Sequence, residues 1–575
     1  MISDRRQFLR NAATALAASA PAASGAHAGQ PEVRSEPKKP PFRFIFEAEW
    51  NDIPCTDYPL TPERWVRECI QPLAGTHVDT LLYNLCSSDG YCCELKHGEL
   101  LCDSFPQLGD AWVWRYRENT KKLIAADANP PKLAVEYGHR LGLKVIPIVR
   151  MNDPHDQYFK YELSRFKRQN PQFLIGYGSY PIDWEKGYKG LPPDKKTGMD
   201  AITWGMFDFA HPEVRQHKLA IIEEFILRWD NDGISLDFDR DPRYFKEQGK
   251  AENAALMTDL IRSIKALLVR TEAQRGRKLH FHVRVIPAIE ACYERGLDVN
   301  TWVREGLVDA ITPGCGYMTV TLDLKPWLEL VDGRECYIYT SINHWRTTEE
   351  TRAWAHLMYS RGAHGVQLFN YGHLLYGHDR NTPPTSERTG TVWYSELAPD
   401  YYQVLDELDD LQNFCYKDKR YVLESIPHER VEGEGGKTGR EYRAIDAIRL
   451  PVALELGRHP VHFGFADDLA SARLEGVNAT CTLRLKLQNY TPVDEFDVSL
   501  NGRLLDRRTR SARAVFIMND FTWVTYQIQA DALHPGMNAL EVVVHKLNPQ
   551  MAVTPVLSNL ELLVEFGREP LPVSA

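Results

Sequence analysis

The sequence predicts an α/β protein: a (β/α)8 or TIM barrel followed by a smaller C-terminal β-sandwich of jelly-roll type. Three observations predict it. Between Phe42 and Tyr376 eight apolar runs of strand length alternate with helical stretches, the signature of a closed parallel barrel. Polar residues converge at the ends of those runs, where such a barrel carries its active face. From Arg440 to Phe566 the pattern changes to short alternating strands broken by turn residues, as in a two-sheet sandwich. At 575 residues the chain exceeds one core, and two or three units are expected.

The eight runs are Phe42 to Glu49, Val78 to Asn84, Lys144 to Arg150, Gly233 to Asp239, Leu279 to Val285, Ala310 to Pro313, Glu335 to Ser341 and Gly365 to Asn370. Helical stretches separate them, among them Pro62 to Leu73, Lys132 to Leu141, Pro212 to Trp229, Ala251 to Ala273, Asp298 to Glu305 and Thr348 to Ser360. An open doubly wound sheet would need a glycine-rich phosphate turn after its first strand. Here Glu49-Trp50-Asn51-Asp52 follows instead. The insertion Asn152 to His211, rich in Tyr, Gly, Lys and Pro, lies between the third and fourth runs. Long insertions after barrel strands form lids or cleft walls on the active face.

The barrel is expected over residues 42–415, a linker over 416–439 and the sandwich over 440–570. The sandwich strands are Cys481 to Leu487, Glu495 to Leu500, Phe521 to Tyr526, Ala539 to Val544 and Leu560 to Glu565. Asn501-Gly502 between two of them is a two-residue hairpin turn.

Residues 1–28 resemble a twin-arginine export signal. Arg5-Arg6 precede Phe8-Leu9, a weakly apolar stretch from Ala12 to Ala23, and the small-residue site Ala26-His27-Ala28. Residues 29–41 then form a polar linker, and the mature protein is expected in the periplasm or secreted. No later stretch has the length and apolarity of a membrane span. The net charge is −10 with both signs interspersed, which argues against nucleic acid as a partner. The 13 Trp and 26 Tyr suit stacking on sugar faces as well as core packing. Eleven cysteines include a cluster at Cys86, Cys92, Cys93 and Cys102. Their spacing fits no zinc pattern, so the cluster is read as structural, and an oxidising compartment would permit disulfides. The oligomeric state is not legible.

The candidate site collects the polar residues at the strand ends. Strand one supplies Glu47 and Glu49, strand two Asn84, and strand three Arg150, Asn152, Asp153 and His155. Strand four supplies Asp237, Asp239 and Arg240, strand five His282 and Arg284, and the loop after strand six Tyr317. Strand seven supplies Asn343, His344 and Trp345, and strand eight Asn370 and Tyr371. Alternate residues share a face, so Ser235, Asp237 and Asp239 line up inward while Leu236 and Phe238 face the helices. Two carboxyls in one barrel mouth repel, and the expectation is that one is pushed up as a general acid beside an ionised partner. Glycoside hydrolysis needs carboxyl groups in those roles. Asp237 and Asp239 are therefore the expected catalytic pair, and the other residues, Glu47 and Asn84 apart, the substrate ligands. The competing structural expectation is that an arginine, Arg150, Arg240 or Arg284, ties an aspartate into the barrel wall. For Asn152 and Asp153 it is a capped turn. His280 and His282 form a His-x-His pair, but strand one lacks the histidines of metal-dependent barrels, and neither metal nor cofactor is expected.

Asp232-Gly233-x-x-x-Asp237-x-Asp239 resembles the Asp-Gly-x-Asp-x-Asp-x-Glu strand of chitinase-type glycoside hydrolases. Ser235 replaces the first inner aspartate, and Asp239 stands where that family has its acid glutamate. Asp-Gly-Ile-x-Leu-Asp-Phe on strand four and Gly-Val-x-Leu-Phe-Asn-Tyr on strand eight are similar to the glycosyl-hydrolase-like barrels of environmental bacteria. The resemblance covers roughly Phe42 to Tyr376 and implies a polysaccharide or glycoside substrate. The turn at Leu500-Asn501-Gly502 and the stretch Pro535 to Val542 resemble galactose-binding-like modules attached to glycoside hydrolases. Two alternatives stand beside hydrolysis: a non-catalytic carbohydrate-binding protein, and a polysaccharide lyase using His282, Tyr317 and Arg284.

Overall fold

The computed structural model describes residues 40–567 apart from 56, 158, 179–203, 241, 315–321, 344–345, 372–402, 425–449 and 516–520. The expected export signal thus lies outside the described residues.

Eight parallel strands close into a barrel. They are β1 (Phe44–Glu49), β2 (Thr80–Asn84), β3 (Lys144–Arg150), β4 (Gly233–Asp237), β5 (His280–Val285), β6 (Ala310–Pro313), β7 (Tyr337–Asn343) and β8 (Gly365–Phe369). Each strand pairs with the next in the chain, and β1 closes the ring against β8. Parallel barrel strands are buried on both faces, which is why the sequence shows continuous apolar runs rather than strict alternation. Outward residues such as Leu81, Val145, Leu236, Val283, Ile338 and Val366 join the core under the helices.

Those helices include α1 (Pro62–Cys69), α2 (Ala111–Ala125), α3 (Pro130–Arg140), α4 (Pro212–Arg228), α5 (Ala251–Arg275), α6 (Val299–Arg304), α7 (Lys325–Val331) and α8 (Thr348–Ser360). Their starts follow local chemistry. Thr61 caps α1 by accepting from the Arg64 amide, with Pro62 at the first position. Thr347 and Glu350 form a reciprocal capping box at α8, satisfying amides that have no partner within the helix.

The C-terminal region holds two antiparallel sheets. Its main strands are β9 (Lys419–Glu424), β10 (Gly457–Phe465), β11 (Asn478–Gln488), β12 (Glu495–Leu500), β13 (Arg510–Val515), β14 (Phe521–Ile528), β15 (Gly536–Lys546) and β16 (Val556–Gly567). One sheet runs β9-β16-β11-β14-β13; the other runs β10-β15-β12 and ends on the short strand Arg503–Leu504. Cys481, Leu483, Leu485 and Leu487 of β11 point into the core, and the residues between them are partly exposed. The hairpin after β12 has positive φ at Asn501 and Gly502, as a two-residue turn of primed type requires.

One boundary differs from the sequence expectation. Lys419–Glu424, inside the stretch read as linker, is a strand paired along its length with β16. Its alternation is short and charged, so it did not stand out from a linker. It carries part of a buried junction with the barrel. Asp467 accepts from the Tyr421 hydroxyl at 2.7 Å, pairs with Lys419 Nζ at 2.9 Å, and lies 3.1 Å from His356 Nδ1 on α8. Lys419 and Asp467 are both buried. Nine cysteines, Cys69, Cys86, Cys92, Cys93, Cys102, Cys292, Cys336, Cys415 and Cys481, are free thiols, and all but Cys415 are buried. No helix among the described residues is long and apolar enough to cross a membrane.

Candidate active site

The barrel interior changes character along its axis. At the N-terminal end Phe42, Ile45, Leu82, Ile146, Ile148 and Tyr339 form an apolar plug. Towards the C-terminal end the same inward faces carry Glu47 and Glu49, Arg150, Ser235 and Asp237, His282 and Arg284, Thr312, and Gln367. The polarity switch falls where strand alternation delivers charged residues to one layer. The register then sets Arg150, Asp237 and Arg284 abreast on β3, β4 and β5.

Two arginine clamps organise the upper layer. Arg284 donates to Asp237 Oδ2 at 2.7 Å and to Asp239 Oδ2 at 2.9 Å. Asp237 Oδ1 also accepts the Asp239 amide at 2.9 Å and the Arg240 amide at 3.3 Å, closing the strand end into a turn. Arg150 donates to Glu49 and, at 2.9 Å, to Asp153 Oδ2. Asp153 Oδ1 accepts from the His155 ring and its backbone amide, while Arg240 donates to His155 Nε2 at 2.8 Å. Gly314 lies against the first clamp, where a Cβ would sit 2.3 Å from Asp239 Oδ2.

Of the two strand-four aspartates, Asp237 is held ionised rather than pushed up. Burial alone would raise its carboxyl, but Arg284, with Arg150 behind it, holds it below the ordinary value. A guanidinium between two carboxylates replaces repulsion by attraction to a shared cation. Asp153 is likewise held well below the usual range, burial being outweighed by His155 and Arg150.

Inside the barrel Glu47 is a raised carboxyl; in the loop after β3, burial also raises Asp156 and pushes Glu162 up to about 7. Burial pushes Glu47 up to about 7, Asp237 adds to the effect, and Arg284, the Gln367 hydrogen bond and Arg150 only partly oppose it. Glu47 and Asp237 thus form the pair of carboxyls driven apart by their surroundings, the arrangement that separates acid from base. Glu47 heads a chain of hydrogen bonds across the barrel. Gln367 Nε2 donates to Glu47 Oε2, Thr312 Oγ1 donates to Gln367 Oε1 at 2.7 Å, His282 Nε2 lies 2.9 Å from Thr312 Oγ1, and Ser235 Oγ lies 2.7 Å from His282 Nδ1.

The remaining predicted residues divide by placement. Asn152 is buried and fastens loops: its amide donates to the carbonyls of Phe207 and Arg243 and its oxygen accepts the Phe207 amide. Asp153 makes the capped turn weighed as its structural role, and still holds His155 at the mouth. Asn84 likewise caps the turn at Cys86. Asn370 has φ +59°, and after that turn Tyr371 points away from the mouth, fully buried with its hydroxyl 2.9 Å from Thr351 Oγ1 on α8. Asn343 is a buried residue ending β7. Tyr317, His344 and Trp345 lie outside the described residues. Both ring nitrogens of His282 are engaged within the barrel, and burial pushes its imidazole down to about 3. Sequence reasoning placed Glu47 at the mouth without a role and passed over Thr312 and Gln367. The available signal was their parity: Glu47 shares a face with Glu49, and Gln367 is the one polar residue inside an apolar strand.

No family model matches the chain, and no curated protein matches its sequence. Among solved structures the chain is similar to a maltogenic α-amylase from Thermotoga neapolitana, at 9% identity over 88% of this chain and 99% of that one, with TM-score 0.30. It is similar to a chitinase from Paenibacillus sp., at 9% identity over 89% and 52% of the two chains, with TM-score 0.34. A glycoside hydrolase domain from Bordetella bronchiseptica covers 57% of this chain and 94% of its own, at 11% identity and TM-score 0.33. The barrel stands on the strand pairing described above rather than on these likenesses.

Proposed function

We propose that this protein is a glycoside hydrolase that cleaves an O-glycosyl bond of a polysaccharide or glycoside at the C-terminal mouth of its barrel. The observation that carries this is the pairing of Glu47, neutral up to about pH 7, with an Asp237 held ionised by Arg284. Glu47 donates the proton to the leaving oxygen. Asp237 and Asp239, on the shared clamp, stabilise the positive charge that develops on the sugar ring. Arg150, Asp153, His155 and Arg240 hold sugar hydroxyls beside them. The paired arginines at Arg5-Arg6 support export by the twin-arginine route, with action in the periplasm or outside the cell.

A second reading is a carbohydrate-binding protein without turnover. It is favoured by one observation: both carboxylate oxygens of Asp237 are already engaged by Arg284 and by backbone amides. The lyase alternative loses ground because His282, its base, has both nitrogens engaged.

The test is reducing-sugar release from plant, algal and microbial polysaccharides, a uronate polymer included, by the parent, Glu47→Gln and Asp239→Asn. Release by the parent that Glu47→Gln abolishes supports the acid assignment. Equal release by Glu47→Gln overturns it. Absence of release by the parent, with retardation in gels carrying the same polysaccharides, moves the assignment to binding.

A further inference from the structure

We propose that Gln367 and Thr312, backed by His282 and Ser235, are positioning residues that fix Glu47 Oε1 as the oxygen carrying the acid proton. This rests on the reading of Glu47 as the acid and adds how the barrel aims it. The four residues come from four different strands, β8, β6, β5 and β4, and each is buried. Their bonds form one continuous line.

The donor directions follow from the valences of the groups. Thr312 uses its only hydroxyl proton on Gln367 Oε1. His282 Nε2 therefore donates to Thr312 Oγ1, and His282 Nδ1 accepts the Ser235 proton. That is the neutral tautomer with hydrogen on Nε2, in keeping with an imidazole that burial keeps uncharged near neutral pH. Every donor in the line points towards β1. At its end Gln367 Nε2 donates to Glu47 Oε2, so Oε2 is an acceptor and the proton of the neutral acid sits on Oε1. An amide alone has two orientations of similar shape. Thr312 removes that freedom, because only a carbonyl accepts its proton. Without Thr312 the amide can turn over, and the proton can then occupy either oxygen.

The charged groups around Glu47 are Arg284, Asp237 and Arg150. None of them is altered by a change at Thr312 or Gln367, so a changed titration of Glu47 reports the line itself. The substitutions are Thr312→Val, which keeps shape and deletes the hydroxyl, Thr312→Ser, which restores it, and Gln367→Met. Ser235→Ala tests the far end and covers the case in which a nearer variant fails to fold.

The first measurement needs no substrate. The melting temperature of each variant is followed from pH 4.5 to 8 against the same variant carrying Glu47→Gln, and the midpoint of the difference reports Glu47. Loss of one donor to the carboxylate moves that midpoint up by about one pH unit in Gln367→Met and Thr312→Val. It stays in place in Thr312→Ser and moves less in Ser235→Ala. Once a substrate is in hand, kcat falls at least about tenfold in Thr312→Val with KM unchanged, as loss of a transition-state contact requires, and Thr312→Ser recovers it. Identical midpoints in all four variants overturn the positioning role while leaving Glu47 as the acid. A parent protein with no Glu47-dependent midpoint removes the acid assignment first, and the positioning role with it.

Discussion

Replacing Glu47 by Gln should change how stability depends on pH more than it changes stability itself. In the folded barrel the carboxyl is pushed from 4.5 to about 7, chiefly by burial. In the unfolded chain it ionises at its ordinary value. The folded state therefore holds a proton that the unfolded state has released, and the protein loses stability as pH rises from 4.5 through 7. At 1.36 kcal/mol per pH unit the loss amounts to about 3 kcal/mol, complete above pH 7 and absent below pH 4.5. For a chain of this size it corresponds to a melting temperature lowered by roughly 3 °C. Gln fills the same space and does not titrate. Calorimetric scans of parent and Glu47→Gln at matched ionic strength should run together near pH 4.5 and separate with rising pH, the variant becoming the more stable above pH 7. Curves that stay parallel within about 1 °C would refute the reasoning, because Glu47 would then titrate in the fold as it does in water.

Three further outcomes are expected. Gly314→Ala brings a methyl within 2.3 Å of Asp239 Oδ2 and 3.3 Å of Arg284 Cγ, so it should displace the clamp. Thermal scans should show a cost of about 1–3 kcal/mol, and any sugar release should fall. Tyr371→Phe removes the hydroxyl that bonds Thr351. It should cost about 1 kcal/mol and leave sugar release unchanged, whereas a collapse of activity would return Tyr371 to the substrate site. Asp467→Asn leaves Lys419, fully buried, without its counter-charge. Guanidinium titration should show a loss of about 3–5 kcal/mol. Because Asp467 is held below its ordinary value of 3.8, that contribution is present above pH 3.8 and is lost as pH falls further.

The barrel was legible because each strand must be apolar on the face beneath the helices, and seven of the eight expected runs contain the full extent of the observed strand. Two strand ends that shift by two residues are informative. β4 stops at Asp237 because that carboxylate takes the amides of Asp239 and Arg240 and turns the chain, and β7 extends to Asn343 because two polar inward residues, Ser341 and Asn343, disguise its end. The site was less legible. Sequence proximity drew attention to Asp237 and Asp239, yet the cation they share is Arg284 on the next strand, and the barrel carboxyl pushed up to about 7 lies on β1. Parity along a strand tells which residues face inward; it does not tell which strand lies opposite or how far down the axis a charge is buried. Tyr371 shows the same limit locally, since one left-handed residue at Asn370 reverses the parity on which its placement relied.

The junction at Asp467 bears on how this architecture can be recombined. A cut in the stretch 425–449 separates β9 from the strand it pairs with, leaving the detached sheet with a bare edge on β16 that invites pairing between molecules. The same cut strands Tyr421 and Lys419 on the barrel side, away from the aspartate that satisfies them. The two halves are therefore not interchangeable cassettes. A transplant that preserves folding has to divide the chain ahead of residue 416 and carry a replacement for His356 on the recipient's last helix, so the C-terminal sheets travel with a matched barrel surface rather than as an independent tag.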